Sequence, residues 1–281
     1  MEYRIEHDSM GEVKVPANVY WAAQTERSHE NFNIGVGIET MPQEIIHAFG
    51  ILKKAAAIAN SELKPAKMTA EKLGAISAAC DEVISGKLNA HFPLVVWQTG
   101  SGTQSNMNAN EVIANRANEI AGSKLCHPND DINMSQSSND TFPTAMHIAA
   151  VIAIEDKVIP AIDLLVSTFK KLEAENEGIV KSGRTHLQDA TPITFSQEIS
   201  GWRSSLEKDK KLLEIALPEL KELALGGTAV GTGLNAPKGF DVRVAKAVAD
   251  LTGKDFVTAE NKFHALTSKD EIVFAHGALK A

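Results

Sequence analysis

Long stretches with a helical repeat of apolar residues constrain this chain most, because they exceed the usual length of a helix in a globular domain. One runs from near Pro143 to about Glu177, and another runs from Thr194 to about Leu223. At 1.5 Å per residue, a helix of roughly 30 residues is about 45 Å long. Apolar stripes of that length need other helices to cover them. We therefore expect a mainly α fold built as a long helical bundle, and we expect oligomerisation.

Shorter helices are predicted before these long ones. Apolar residues recur at three- and four-residue steps from Pro42 onwards, and Thr69 and Gly86 have the positions of an N-cap and a stop for a further helix. Residues 1–40 predict only loops and short pieces of structure. No run of alternating strand residues is convincing anywhere in the chain, which also favours a mainly α fold.

Capping and kinking signals refine the long helices. Thr194 and Gln197 have the spacing of a capping box, and so do Ser268 and Glu271 near the end of the chain. Pro160 lies inside the stretch that begins near Pro143, so the sequence predicts a kink there.

Charge and composition exclude several classes of function. The 281 residues carry a formal net charge of −8, which does not favour nucleic acid or an anionic membrane as partner. Cys80 and Cys126 form no disulfide framework and suit a reducing compartment. The first residues lack the apolar segment of a signal peptide, and no apolar run is long enough to span a bilayer. The sequence therefore predicts a soluble cytoplasmic protein.

Three glycine-rich or polar breaks interrupt the helical pattern, at residues 100–108, 135–140 and 183–189. The first break runs straight into a predicted helix, whose first turn offers unpaired N–H groups and a positive dipole end. A carboxylate would fit there, although the same residues would also suit a helix start that only caps its own backbone. The breaks together supply neutral hydrogen-bonding groups and one imidazole, namely Ser101, Thr103, Ser137, Ser138, Asn139, Thr185 and His186.

This set of groups suits a small polyanion and the movement of a proton. His186 is the acid–base candidate because the ordinary pKa of histidine lies near neutrality, although it could instead only bond a neighbouring helix. His127 lies in a Pro-Asn-Asp turn, where a structural role is the simpler interpretation. No cluster has convincing metal-ligand spacing, and the serine-hydrolase pattern GxSxG is absent. The glycine-rich segment 226–233 follows no predicted strand, so we reject a nucleotide there.

At these breaks the sequence resembles the class II fumarases of the fumarase/aspartase superfamily. The resemblance is carried by residues 97–108, 127–130, 135–140, 183–189 and 226–233, in the family's order. It implies reversible hydration of fumarate to L-malate without metal or organic cofactor. It also implies a homotetramer whose active sites are shared between subunits, with an N-terminal lyase domain over residues 1–139 and a helical bundle domain over 140–281.

The resemblance also implies roles for individual residues. His186 would act in proton transfer, and His127, Pro128, Asn129 and Asp130 would match a second dicarboxylate site. The substrate carboxylates would be held by Ser101, Gly102, Thr103, Ser137, Ser138, Asn139 and Thr185. Removing a proton next to a carboxylate of malate builds negative charge on that carboxylate, so fixed donors must stabilise it in the transition state.

The chain departs from the family pattern in its C-terminal part. Family members continue into a Gly-Ser-Ser loop with a catalytic serine, a substrate-binding lysine and an asparagine, and none of these motifs occurs here. We expect that the chain is C-terminally truncated within a helix and that it has little or no hydratase activity alone.

Two other functions are open at this point. Aspartate ammonia-lyase shares the scaffold, but aspartases tend to carry Gln where His186 stands and Ser-Thr-Asn where residues 137–139 read Ser-Ser-Asn. A non-catalytic helical scaffold, such as a fragment that assembles with others, is the alternative from a different class.

Overall fold

The computed structural model describes residues 2–281 and is mainly α over that range, which confirms the predicted fold class. The helices are α1 (Ala23–Asn31), α2 (Gln43–Leu63), α3 (Ala70–Ile84), α4 (Thr103–Ala121), α5 (Ser138–Ala153), α6 (Ile159–Glu175), α7 (Phe195–Leu220), α8 (Phe240–Thr252), α9 (Lys262–Thr267) and α10 (Asp270–Lys280). Single turns of 3-10 and π-helix occur at Asn89–His91, Pro128–Ile132 and Ile154–Val158. Within residues 2–281, no helix combines the length and the apolar character that crossing a membrane would require.

Six short strands form three two-stranded sheets, although the sequence shows no convincing alternating pattern. They are β1 (Tyr3–Asp8), β2 (Gly11–Pro16), β3 (Val180–Thr185), β4 (Gln188–Thr194), β5 (Glu222–Leu223) and β6 (Val257–Thr258). The pairs β1–β2 and β3–β4 are antiparallel hairpins, and β5–β6 is parallel. Only β2 buries apolar residues at alternate positions, Val13 and Val15, so most of these strands lack the burial that produces a clear period of two.

The chain divides into two compact units. The first unit contains residues up to Ala149 together with Lys221–Ser268, and the second contains Ala150–Leu220 and Lys269–Ala281. Residues 221–268 thus pack with the N-terminal residues, and the domain boundary expected at 139/140 stays a prediction. Apolar side chains of that segment, such as Leu225 and Val244, are fully buried.

Helix α2 lies at the centre of the first unit. It packs against α3, α4 and α8, and its alanines let these neighbours approach closely. Phe49 and Leu52 are among its largest fully buried side chains. Burying each side chain of this kind stabilises the fold by about 1.5–3 kcal/mol. This core holds α4 and the start of α5 in fixed positions within the first unit.

The second unit consists of α6, α7 and α10 with the β3–β4 hairpin. The predicted kink at Pro160 takes the form of a π-helical turn that ends just before it, so that Pro160 lies in the first turn of α6. Large apolar side chains of this unit are exposed, among them Leu164, Trp202 and Ile215. Such exposed surface is typical of helices that pack against other chains. The predicted tetramer stays a prediction.

Capping residues predicted from the sequence mark the observed helix ends. Thr69 accepts the N–H of Lys72 at the start of α3, and Gly86, with φ +81°, follows its end. The predicted helix at Ser268 begins slightly later, because the N-cap of α10 is Lys269.

The Thr194–Gln197 capping box gives a first testable prediction. The backbone N–H of Thr194 donates to Gln197 Oε1 at 3.0 Å, and the N–H of Gln197 donates to Thr194 Oγ1 at 3.1 Å. We expect Thr194→Ala to lower the free energy of unfolding by about 1 kcal/mol, because an N–H at the start of α7 loses its acceptor. Urea unfolding measures this loss, with the exposed strand residue Thr191→Ala as control. Equal midpoints for the two variants would contradict the prediction.

Candidate active site

The first polar break forms the N-terminal end of α4. Gly102 is the N-cap residue, and it has no side chain with which to cap the helix. Ser101 and Thr103 are exposed on either side of it, with their hydroxyl oxygens 3.1 Å apart. The arrangement presents two hydroxyl groups and the first N–H groups of a helix to the same space. Such a helix start attracts an anion.

Gly102 is required at this position for two reasons. Its φ of +75° is a left-handed conformation, and a Cβ atom there would lie 2.1 Å from Cγ of Phe142 on α5. The close approach brings the start of α4 against the first turns of α5. The first and second polar breaks are therefore held together within the first unit.

The second polar break begins α5. The N–H of Asn139 donates to Ser137 Oγ at 3.3 Å, and the N–H of Ser137 donates to Asp140 Oδ1 at 2.8 Å, as in a capping box. Ser138 Oγ accepts from Nδ2 of Asn106, a buried residue of α4, at 3.1 Å. The three candidate residues 137–139 thus lie in one turn, and the hydrogen bond from Asn106 of α4 holds that turn in place.

Asp140 connects this turn to the glycine-rich segment 226–233. Its carboxylate is fully buried, and Oδ2 accepts the N–H groups of Gly226 and Thr228 at 3.0 and 2.8 Å. Burial raises the pKa of this carboxyl, while its backbone N–H donors act in the opposite direction. Nδ2 of Asn139 also donates to the carbonyl oxygen of Ala229 at 2.8 Å. The segment predicted as a flexible loop is therefore bonded to the candidate site.

Sequence reasoning missed a buried cation behind these groups. Lys53 lies on α2 and is only 1% exposed, with Nζ donating to Asn106 Oδ1, Asn133 Oδ1 and Gln136 Oε1 at 2.7, 3.0 and 2.9 Å. Burial lowers the pKa of the ammonium group to about 7, and the charge of Asp140 opposes that shift. A lysine inside an alanine-rich helical repeat gives no sequence signal of burial, since lysine is usually exposed.

The third polar break is not a loop between helices but the tip of the β3–β4 hairpin in the second unit. Thr185 pairs with Gln188, which leaves His186 and Leu187 as a two-residue turn. Their φ values are +51° and +62°, which is unusual for residues other than glycine, asparagine and aspartate. Both side chains are exposed. Thr185 and His186 thus belong to a different unit from Ser101, Thr103 and residues 137–139.

The residues of the predicted second dicarboxylate site form one exposed turn. Nδ1 of His127 accepts the backbone N–H groups of Asn129 and Asp130, each at 3.3 Å, and Pro128 begins the π-helical turn. The Asp130 carboxylate lies 3.4 Å from the same ring nitrogen. His127 therefore has the structural role that its sequence context indicates. Binding of a dicarboxylate at this turn stays a prediction.

Comparison with known proteins places this geometry in a family. The sequence profile of a family described as Lyase matches residues 11–281. Class II fumarate hydratases of Bacillus cereus and Campylobacter jejuni are 61% and 59% identical over 285 aligned residues. These alignments cover the whole chain and 61% of each relative. The chain thus spans about three fifths of the length of the curated relatives it matches.

Solved structures give the same result. The crystal structure of a class II fumarase from Schistosoma mansoni matches with a TM-score of 0.94 and 40% identity, covering 99% of this chain and 62% of that one. A fumarate lyase:delta crystallin from Brucella melitensis in native form matches with a TM-score of 0.90 and 36% identity, covering 100% of this chain and 64% of that one. The chain belongs to the lyase family. Its resemblance to the class II fumarases is thereby confirmed.

Proposed function

We propose that this chain is part of a class II fumarase that catalyses the reversible hydration of fumarate to L-malate. The observation that carries the proposal is the packing of two helix starts, those of α4 and α5. Gly102 at the start of α4 lies against Phe142 of α5, and Asn106 of α4 donates to Ser138 at the start of α5. The neutral donors at these helix starts suit a carboxylate group. The names of the relatives and the match along the whole chain support the same reaction.

The proposed reaction needs two kinds of group: hydrogen-bond donors that bind the substrate carboxylate, and a group that carries a proton. Hydroxyl groups and helix N–H groups would hold a substrate carboxylate and stabilise the charge that grows on it when the neighbouring carbon loses a proton. His186 would carry a proton and position the water, because imidazole is the most frequent proton carrier in general acid–base catalysis. Thr185 beside it would bind a carboxylate. We expect no metal or organic cofactor to take part.

The residues assigned to the two roles lie in different compact units. We propose that active sites form in a homotetramer, where the hairpin carrying Thr185 and His186 meets the helix starts of another subunit. The exposed apolar side chains on α6 and α7, such as Leu164 and Ile215, support packing between copies. Sedimentation equilibrium tests this proposal, and a monomer at micromolar concentration would contradict it.

The function is tested by following fumarate at 240 nm. The assay compares the 281-residue chain with a chimera that adds the C-terminal segment of the Bacillus cereus relative beyond the matched region. The resemblance implies a catalytic serine and a lysine in that segment, so we expect turnover by the chimera and little or none by the chain alone. Offering L-aspartate beside L-malate distinguishes a fumarase from an aspartate ammonia-lyase. A chimera that releases ammonia but does not hydrate fumarate would overturn the assignment.

His186→Asn in the active chimera tests the role of the imidazole. Asparagine tolerates the left-handed conformation found at this position, so the turn is retained while the titratable group is removed. We expect kcat to fall by about 10²- to 10⁴-fold with little change in thermal stability. His7→Asn, on the exposed strand β1, is the matched control. A variant at 186 that keeps half of the wild-type kcat would remove His186 from the mechanism.

A further inference from the structure

We propose that Lys53 and Asn106 are positioning residues that hold the hydroxyl group of Ser138 as an outward hydrogen-bond donor for an anion. The inference rests on the proposed dicarboxylate site and adds to it two residues that do not contact the substrate. All three belong to the first unit, and each connecting bond lies between 2.7 and 3.1 Å.

The direction of the hydrogen bonds follows from what each group can donate. Below its pKa of about 7 the Lys53 side chain is an ammonium group, which has three donors and no acceptor, so the three side-chain amides around it must turn their oxygens towards it. Asn106 Oδ1 is one of these oxygens, which turns the NH₂ group of Asn106 away from Lys53. That NH₂ group lies 3.1 Å from Ser138 Oγ and 3.2 Å from Asn133 Oδ1. Ser138 Oγ is therefore the acceptor in its bond with Asn106.

Because the Ser138 hydroxyl accepts a hydrogen bond from Asn106, its own hydrogen stays available to another partner. Within residues 2–281, the bond from Asn106 is the only hydrogen bond that the structure gives to Ser138 Oγ. The Ser138 O–H group can therefore donate to a carboxylate oxygen at the start of α5. The N–H groups in the first turn of that helix also attract negative charge. The buried charge of Lys53 thus fixes the polarity of the chain of bonds that ends at Ser138.

Burial fixes the orientation of the amide groups around Lys53. Asn106 is fully buried and Lys53 is 1% exposed, so water cannot satisfy an amide group that turns the wrong way. Gln136 adds a second restraint, because its Nε2 donates to the carbonyl oxygens of Ile132 and Met134, each at 3.0 Å, while its oxygen faces Lys53. The amide orientations behind the site are therefore not interchangeable.

Asn106→Asp separates positioning from folding. The new carboxylate keeps the size of the side chain and pairs with Lys53, which offsets the lost bond to Asn133 Oδ1, so we expect a Tm close to the wild-type value. It has no NH₂ group, so the Ser138 hydroxyl must donate inwards and is lost to the anion. We expect the Kd for succinate, an unreactive dicarboxylate probe, to rise at least tenfold in isothermal titration calorimetry of the 281-residue chain. Ser138→Ala should give a rise of similar size.

Asn133→Asp is the control for adding a carboxylate beside Lys53. Asn133 also accepts from Lys53 but makes no bond to Ser138, so we expect its Kd for succinate to stay within threefold of the wild-type value. An Asn106→Asp chain that binds succinate within twofold of the wild-type chain would overturn the inference. Equal weakening by both aspartates would overturn it too, since the effect would then come from charge alone.

A measurement without ligand keeps the inference separate from the proposed function. Neutron diffraction from the deuterated chain, at a pH well below the Lys53 pKa of about 7, locates the hydrogens directly. We expect three on Lys53 Nζ and one on Ser138 Oγ that points away from Asn106. A hydrogen on Ser138 pointing to Asn106 would refute the inference whatever the chain binds. The expected hydrogens in a chain that binds no succinate would instead support the bond polarity and count against the dicarboxylate site.

Discussion

Replacing Asp140 with alanine is expected to lower the free energy of unfolding by about 3–5 kcal/mol. The carboxylate is completely buried and accepts three backbone N–H groups, those of Ser137, Gly226 and Thr228. Its removal leaves these donors in the interior without acceptors. Each unsatisfied buried donor costs about 1–3 kcal/mol, which makes the loss large compared with a typical substitution.

Urea unfolding of the wild-type chain, Asp140→Ala and Asp140→Asn measures this effect. Asparagine keeps one acceptor oxygen but turns an NH₂ group towards an N–H donor, so an intermediate loss is expected. Hydrogen exchange provides the local readout, because the amides of Gly226 and Thr228 should lose protection first. A loss below 1 kcal/mol for the alanine variant would mean that this carboxylate does not hold the two segments together.

Gly102→Ala is expected to destabilise the chain by about 3 kcal/mol and to abolish anion binding at the start of α4. The left-handed backbone alone disfavours alanine by about 1–2 kcal/mol. The larger contribution is steric, because the added Cβ would lie 2.1 Å from Cγ and 2.5 Å from Cβ of Phe142. A clash with a Cβ atom cannot be relieved by rotating the ring, so α4 and α5 must move apart.

Gly100→Ala is the matched control for this substitution. It lies in the same loop, its φ is not left-handed, and a Cβ atom there would meet nothing within 4 Å. We expect its stability to stay within about 0.5 kcal/mol of the wild-type value. Thermal unfolding and succinate calorimetry on both variants test the pair. If the two alanine variants had the same Tm and the same Kd for succinate, the close contact between Gly102 and Phe142 would not matter for stability or binding.

Much of the helical architecture follows from the sequence because its signals are local. Thr69, Thr194 and Gln197 cap helices through neighbours within three residues, so their spacing alone is informative. The polar breaks were likewise visible, since hydroxyl and amide residues stand out from an apolar helical pattern.

Other features depend on contacts between distant segments and leave no local pattern. In the sequence, Lys53 cannot be distinguished from a solvent-exposed lysine. Its burial depends on amide oxygens from α4 and from the segment before α5, which surround it only in the folded chain. The hairpin at Val180–Thr194 lacks an alternating pattern of burial, and its turn uses His186 and Leu187 where Asn-Gly would be the recognisable signal. Residues 221–268 likewise gave no sign that they pack with the N-terminal part of the chain.

The turn at His186 and Leu187 has a consequence for engineering this protein. Two residues with Cβ atoms occupy backbone conformations that disfavour them, and the leucine side chain is 91% exposed. Rewriting the pair as Asn-Gly would relax the hairpin and raise its resistance to heat. The same edit would delete the only imidazole that the proposed reaction uses. Selection for thermal stability alone would therefore favour variants that lack this imidazole. A screen of substitutions at residues 186 and 187 must also measure turnover.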